Sequence, residues 1–186
     1  MSLFQRKISL IFAAAAFAAA AAVVLMNGAP KDFFVDDTKF RHEIRSAAAR
    51  HKVPEQLVRA LIFQESRFDE RARGRKGEIG LMQVLPSGAV ADWARINKVA
   101  EPGVDELFDP RMNLEIGCWF LGRALRRWEH YKDAVPLALA HYNAGESRAN
   151  RWKPETKDGN VMPRITLPAT KKYVIQIMKR YRKYTI

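Results

Sequence analysis

The stretch Leu61-Ile62-Phe63-Gln64-Glu65-Ser66 sets a carboxylate on the apolar face of a predicted helix. Pro54 suits the first helical position, so the helix is expected from about Pro54 to Ser66. Its inward face reads Val58, Leu61 and Ile62, and Glu65 follows at helical spacing on that same face. An inward Glu is either paired with a cation, for which Arg67 and Arg71 stand near in sequence, or it has a task. Burial without a cation disfavours the charged form and moves the group toward a proton donor at neutral pH.

Around this helix the chain reads as helices, with almost no period-two alternation. A first helix is expected from Asp37, a good N-cap, to about Arg50. A loop with Gly74, Gly77 and Gly80 spans 67 to 80, and a helix over about Ser87 to Asn97 follows. Asp109-Pro110 is a strong start for a helix whose Leu114, Gly117, Cys118, Leu121, Leu125 and Trp128 share one inward stripe. Cys118 is therefore expected in the core. Asp133 opens another helix, closed by Gly145. A last helix carries Tyr173, Val174, Ile177, Met178 and Tyr181. The expected architecture is an all-α domain of about seven helices over residues 37 to 186.

The N-terminus differs in kind. Arg6 and Lys7 precede an apolar run from Ile8 to Met26, interrupted only by Ser9. A basic flank followed by such a run marks export. The run approaches the roughly 20 residues that span a bilayer. Residues 1–26 are expected to be a signal-anchor, with a cleaved signal peptide as the alternative, and residues 27–36 a linker. Either way the positive-inside rule places the domain outside the inner membrane.

Composition narrows the chemistry. The chain has 186 residues, and 32 Lys plus Arg against 20 Asp plus Glu give a net charge of +12. That balance points to an anionic partner. The single Cys118 rules out an internal disulfide and a Cys-rich zinc site. His42, His51, His130 and His141 show no metal-ligand spacing, and no phosphate-binding glycine motif occurs. Neither a metal nor a cofactor is expected. The basic C-terminal residues Lys171, Lys172, Lys179, Arg180, Arg182 and Lys183 belong to no nucleic-acid motif, so no nucleic-acid partner is expected.

Three short segments stand out beyond packing: Glu65-Ser66, Gly80-Leu81-Met82-Gln83 and Tyr142-Asn143-Ala144-Gly145. Gln83 and Asn143 can donate and accept hydrogen bonds, as sugar hydroxyls and N-acetyl groups require. Met82 offers an adaptable apolar contact, and Tyr142 a phenol for a carboxyl group. Between the second and third segments lie Leu107-Phe108-Asp109-Pro110, Asn113, Gly117 and Leu121. Leu167-Pro168-Ala169-Thr170-Lys171-Lys172-Tyr173-Val174 closes the series. These five ordered blocks resemble the lytic transglycosylase catalytic domain, a lysozyme-like fold, over about residues 38 to 184.

The resemblance implies a peptidoglycan-cleaving enzyme of the periplasm, held at the membrane by its N-terminal segment. A further partner from cell-wall assembly or secretion machinery stays open. Glu65 matches the single catalytic Glu, acting as acid on the bond between N-acetylmuramic acid and N-acetylglucosamine and then as base. Tyr142 matches the tyrosine that hydrogen-bonds and orients that Glu. Ser66, Met82, Gln83 and Asn143 match residues that bind substrate or shape the cleft, with Ser66 also capping its helix. Several positions depart from the pattern. Ile79 stands where some members have Ser, Phe120 where Tyr is frequent, and Ala169 and Ile165 where Glu occurs. His141 stands where Ala is common. A lysozyme-type hydrolase would need a second carboxylate, for which Asp69, Glu78 and Glu146 are the candidates. A non-catalytic glycan-binding protein is the remaining alternative.

Overall fold

Seven α-helices form among residues 35–185, the part of the chain that the computed structural model describes. They are α1 (Arg41–His51), α2 (Glu55–Glu65), α3 (Ala91–Asn97), α4 (Pro110–Trp128), α5 (Ala134–Ala144), α6 (Glu146–Trp152) and α7 (Pro168–Thr185). No strand forms among the described residues; the loop after α2 holds only isolated bridges, Arg73 with Ile79 and Ile79 with Val84. The expected anchor at 1–26 and most of the expected linker lie outside the described residues. None of the described helices is long and apolar enough to cross a membrane.

The long helix α4 is the spine of the core. Asp109 caps it by accepting from the backbone N–H groups of Arg111 at 2.7 Å and Met112 at 3.3 Å, with Pro110 behind it. These are the bonds that an Asp-Pro start predicts. Its buried stripe of Leu114, Gly117, Cys118, Leu121 and Trp128 packs α5 on one side and α1 on the other. Cys118 is fully buried, as expected. Helix α7 lays Thr170, Tyr173, Val174 and Ile177 inward, and packs against α2 and α5.

Two expectations change. The first helix starts at Arg41, not Asp37. Asp37 works elsewhere: its carboxylate accepts from the Tyr184 hydroxyl at 2.7 Å and lies 3.6 Å from the Arg59 guanidinium. A side chain tied to α2 and α7 cannot also cap α1. The second change is α6, which sequence periodicity does not announce. Gly145, with φ of 87°, ends α5 and opens α6 without a linker. Only Ala149 and Trp152 of α6 are buried, too few for a readable stripe.

Candidate active site

Glu65 is the last residue of α2, so its carboxyl lies near the unsatisfied carbonyls of a helix C-terminus. The side chain is partly exposed, but its acid group is largely withdrawn from water. That desolvation raises its pKa from 4.5 to about 7. The hydroxyl of Tyr173 donates to Oε1 at 2.5 Å and opposes the rise by stabilising the anion. Negative charge on Glu78 adds to the rise. No cation is among the causes that set the pKa of Glu65. Glu65 is thus an acid withdrawn from water at the end of α2, met by a phenol.

The tyrosine partner is a correction. Tyr142 lies close enough for Glu65 to act on its phenol electrostatically, but its hydroxyl donates to the backbone carbonyl of Met82 at 2.8 Å. The phenol on the carboxyl is that of Tyr173, from α7, 108 residues away in the chain. Helix α7 packs on α2 and delivers it there. The signal available in sequence was Tyr173 on the inward face of the closing segment, a position that packing alone also explains.

Met82 is a second correction. Its side chain is fully buried and cannot touch a sugar. It fills the space left by Gly117 on α4, where a Cβ would collide with its Sδ and side-chain carbons. Its Sδ lies 3.9 Å from the Cys118 thiol. Met82 thus serves the site through its backbone, since its carbonyl holds Tyr142.

Asn113 was only a motif member in sequence, and the structure makes it the keystone of this loop. Its fully buried amide donates to the carbonyls of Ile79 and Leu107, both at 2.8 Å, and accepts from the N–H of Met82 at 2.8 Å. Gly80 is required beside it, with φ of 75° and no room for a Cβ against the Asn113 amide or the Leu107 carbonyl.

The remaining candidates divide. Gln83, at φ of 47°, donates its amide to the carbonyls of Gly80 at 2.9 Å and Ala72 at 3.2 Å. Its Oε1 has no hydrogen-bond partner among the described residues, which leaves an acceptor for a ligand. Ser66 turns its hydroxyl back to the Ile62 carbonyl at 3.3 Å, so it closes its own helix end. Asn143 is exposed and accepts from Thr170 at 2.8 Å, which pins the end of α5 to the start of α7. Of the three possible second carboxylates, only Glu78 acts on Glu65. Asp69 binds the backbone N–H of Arg71 at 2.9 Å, and Glu146 pairs with Arg127 at 3.2 Å. No group of residues suited to hold a metal ion occurs among the described residues.

A phenylalanine at position 173 gives a test of this geometry. Tyr173→Phe removes a donor that favours the Glu65 anion, so the pKa of Glu65 rises further. The alkaline limb of the pH–rate profile should move to higher pH, with kcat lower by about 10- to 100-fold. An alkaline limb that stays in place would show that the phenol does not act on the carboxyl.

The family model described as Transglycosylase SLT domain matches residues 42–163. The chain is 30% identical over 118 residues to membrane-bound lytic murein transglycosylase E of Buchnera aphidicola subsp. Acyrthosiphon pisum (strain APS), covering 59% of this chain and 53% of that protein. It is 34% identical over 110 residues to membrane-bound lytic murein transglycosylase F of Desulfosudis oleivorans (strain DSM 6200 / JCM 39069 / Hxd3), covering 58% of this chain and 22% of that protein. The chain thus spans about half or less of the length of these curated relatives. Among solved structures, an inactive mutant of lytic transglycosylase Slt from Pseudomonas aeruginosa superposes with a TM-score of 0.70 at 24% identity, over 79% of this chain and 24% of that one. The 70 kDa soluble lytic transglycosylase of Escherichia coli gives 0.67 at 20% identity, over 79% of this chain and 24% of that one. These superpositions show a shared fold.

Proposed function

The chain belongs to the Transglycosylase SLT domain family, and from that premise we propose that it cleaves peptidoglycan glycan strands without adding water. The bond is the β-1,4 link from N-acetylmuramic acid to N-acetylglucosamine, and the product is a 1,6-anhydromuramoyl end. The observation that carries this reading is Glu65, an acid with a pKa of about 7 under a phenol donor. At neutral pH such a group is split between its two forms, as one residue serving first as acid and then as base requires.

The protonated carboxyl gives its proton to the glycosidic oxygen as the bond to the muramic C1 breaks. The substrate's own N-acetyl group stabilises the positive charge that develops there. The Glu65 carboxylate then takes the proton of the muramic C6 hydroxyl as that oxygen bonds to C1. One proton leaves Glu65 and one returns. Tyr173 holds the carboxyl in place through both steps. Gln83, through its Oε1, and Asn143 are the polar contacts for sugar.

A hydrolytic reading has one observation in its favour, the nearness of Glu78. This half-buried carboxylate accepts the backbone N–H of Lys76 at 2.8 Å and raises the pKa of Glu65. In a hydrolase it would hold a water. Digestion of purified sacculi, with mass spectrometry of the released ends, separates the readings. Anhydro ends are expected; reducing muramic ends would overturn the proposal. Glu78→Gln supplies a second comparison. Under the proposal it keeps activity and moves the alkaline limb to lower pH, because a charge that raised the Glu65 pKa is gone. Loss of cleavage would favour the hydrolase.

On this reading the reaction takes place outside the inner membrane, with residues 1–26 as anchor or export signal. The excess of basic residues suits a wall rich in carboxylates.

A further inference from the structure

A cavity of about 650 Å³ lies beyond Tyr142, between the turn that opens α3, the middle of α4 and the junction of α5 with α6. Its volume is in the range of small-ligand sites. Phe120 lines it and sets its ring edge-on to Tyr142 at 5.5 Å, so one aromatic layer separates the cavity from Tyr142, a phenol on which Glu65 acts electrostatically.

Helix α4 turns Arg123, Arg126 and Arg127 toward this cavity at helical spacing. Two carboxylates share the lining, and both are engaged: Glu146 with Arg127 at 3.2 Å, and Asp92 with Arg95 at 2.8 Å. Arg126 donates to the His51 carbonyl at 3.3 Å. Arg123 has no carboxylate partner among the described residues; its guanidinium lies 4.8 Å from the centre of the Trp119 ring. A stacked, planar guanidinium keeps its donor edge free for a carboxylate.

His141 is a second feature of this lining. It lines the same cavity while only 8% exposed. Its Nδ1 is sealed with no hydrogen-bond partner. A proton on Nδ1 would be a buried donor without an acceptor, so the neutral ring carries its proton on Nε2. Burial holds its pKa below the ordinary histidine value, which keeps the ring neutral. The cavity is thus lined by a neutral imidazole and by two guanidiniums that no carboxylate engages among the described residues.

We propose that this cavity is a subsite for the carboxylates of the peptide stems borne by the glycan substrate, with Arg123 as its main anchor and Arg126 and His141 beside it. The proposal rests on the reading of the chain as a peptidoglycan-cleaving enzyme. Charge selects the occupant: an uncharged sugar has no use for unneutralised guanidiniums, whereas the stems carry free carboxylates on the strand that Glu65 would cut.

The test uses the full-length chain and a soluble stem peptide with two free carboxylates, beside its fully amidated counterpart. Calorimetric titration should show the diacid binding about 5- to 10-fold more tightly than the amidated form. Arg123→Gln should remove that difference, and Arg123→Lys should restore part of it. Equal binding of the two peptides, or a diacid affinity unmoved by Arg123→Gln, would overturn the subsite. Cleavage supplies the second arm, read as the ratio of rates on stem-bearing and stem-free strands. The ratio should fall in Arg123→Gln; an equal loss on both strands would mark a structural role and count against the proposal. If the wild type cuts neither strand, the enzyme reading fails, and the titration still decides the subsite.

Discussion

Glu65→Gln should abolish cleavage of sacculi, with a loss of about 1000-fold or more, and leave a protein more stable than the wild type at alkaline pH. The amide keeps the shape of the carboxyl and an oxygen for the Tyr173 hydroxyl, but it holds no transferable proton. The stability gain follows from the direction of the pKa shift. Folding raises Glu65 from 4.5 to about 7, so the folded protein keeps a proton that the unfolded chain has released in that interval. Wild-type stability therefore falls as pH rises through this window and has lost the full contribution above it. Gln carries no such penalty. The variant should match the wild type near pH 4 and exceed it by about 3 kcal/mol near pH 8. Thermal unfolding at the two pH values reads the difference. A variant that is inactive and less stable at both would show that Glu65 is a structural carboxylate.

Asn113→Ala should cost about 3–5 kcal/mol and lower the melting temperature by about 10 °C. The substitution strands three buried backbone groups at once: the carbonyls of Ile79 and Leu107 and the N–H of Met82. Water has no easy access there, since Ile79, Met82 and Leu107 are all buried. Activity should fall with stability, because the freed loop also carries the Met82 carbonyl that holds Tyr142. Equilibrium unfolding in urea gives the energy. A loss below about 1 kcal/mol would mean that the amide is not the fastening that its three bonds imply.

The sequence made some of this legible and hid the rest for physical reasons. Glu65 could be read because helical periodicity alone puts it inward, next to Leu61 and Ile62. The start of α4 could be read because Asp-Pro acts on the next few backbone N–H groups. Local rules sufficed in both cases. Tyr173 was missed because its contact joins the end of α2 to α7 across the chain, and two tyrosines of similar standing competed for one carboxyl. Met82 was read as a cleft wall because motif membership says nothing of direction. Its burial follows from Gly117 on a facing helix, a pairing visible only in three dimensions. Asp37 was read as a cap because Asp favours caps, but its two distant partners prevailed. The short α6 buries too little to show any period. The expected anchor at residues 1–26 lies outside the described residues.

Burial, against the pull of a phenol, keeps Glu65 a proton donor at neutral pH. Carbon-13 NMR titration of the Glu65 carboxyl in the full chain tests it most directly, with Glu65→Gln to assign the signal. The expected midpoint is about 7; a midpoint at the ordinary 4.5 would mean that burial does not hold the proton on Glu65.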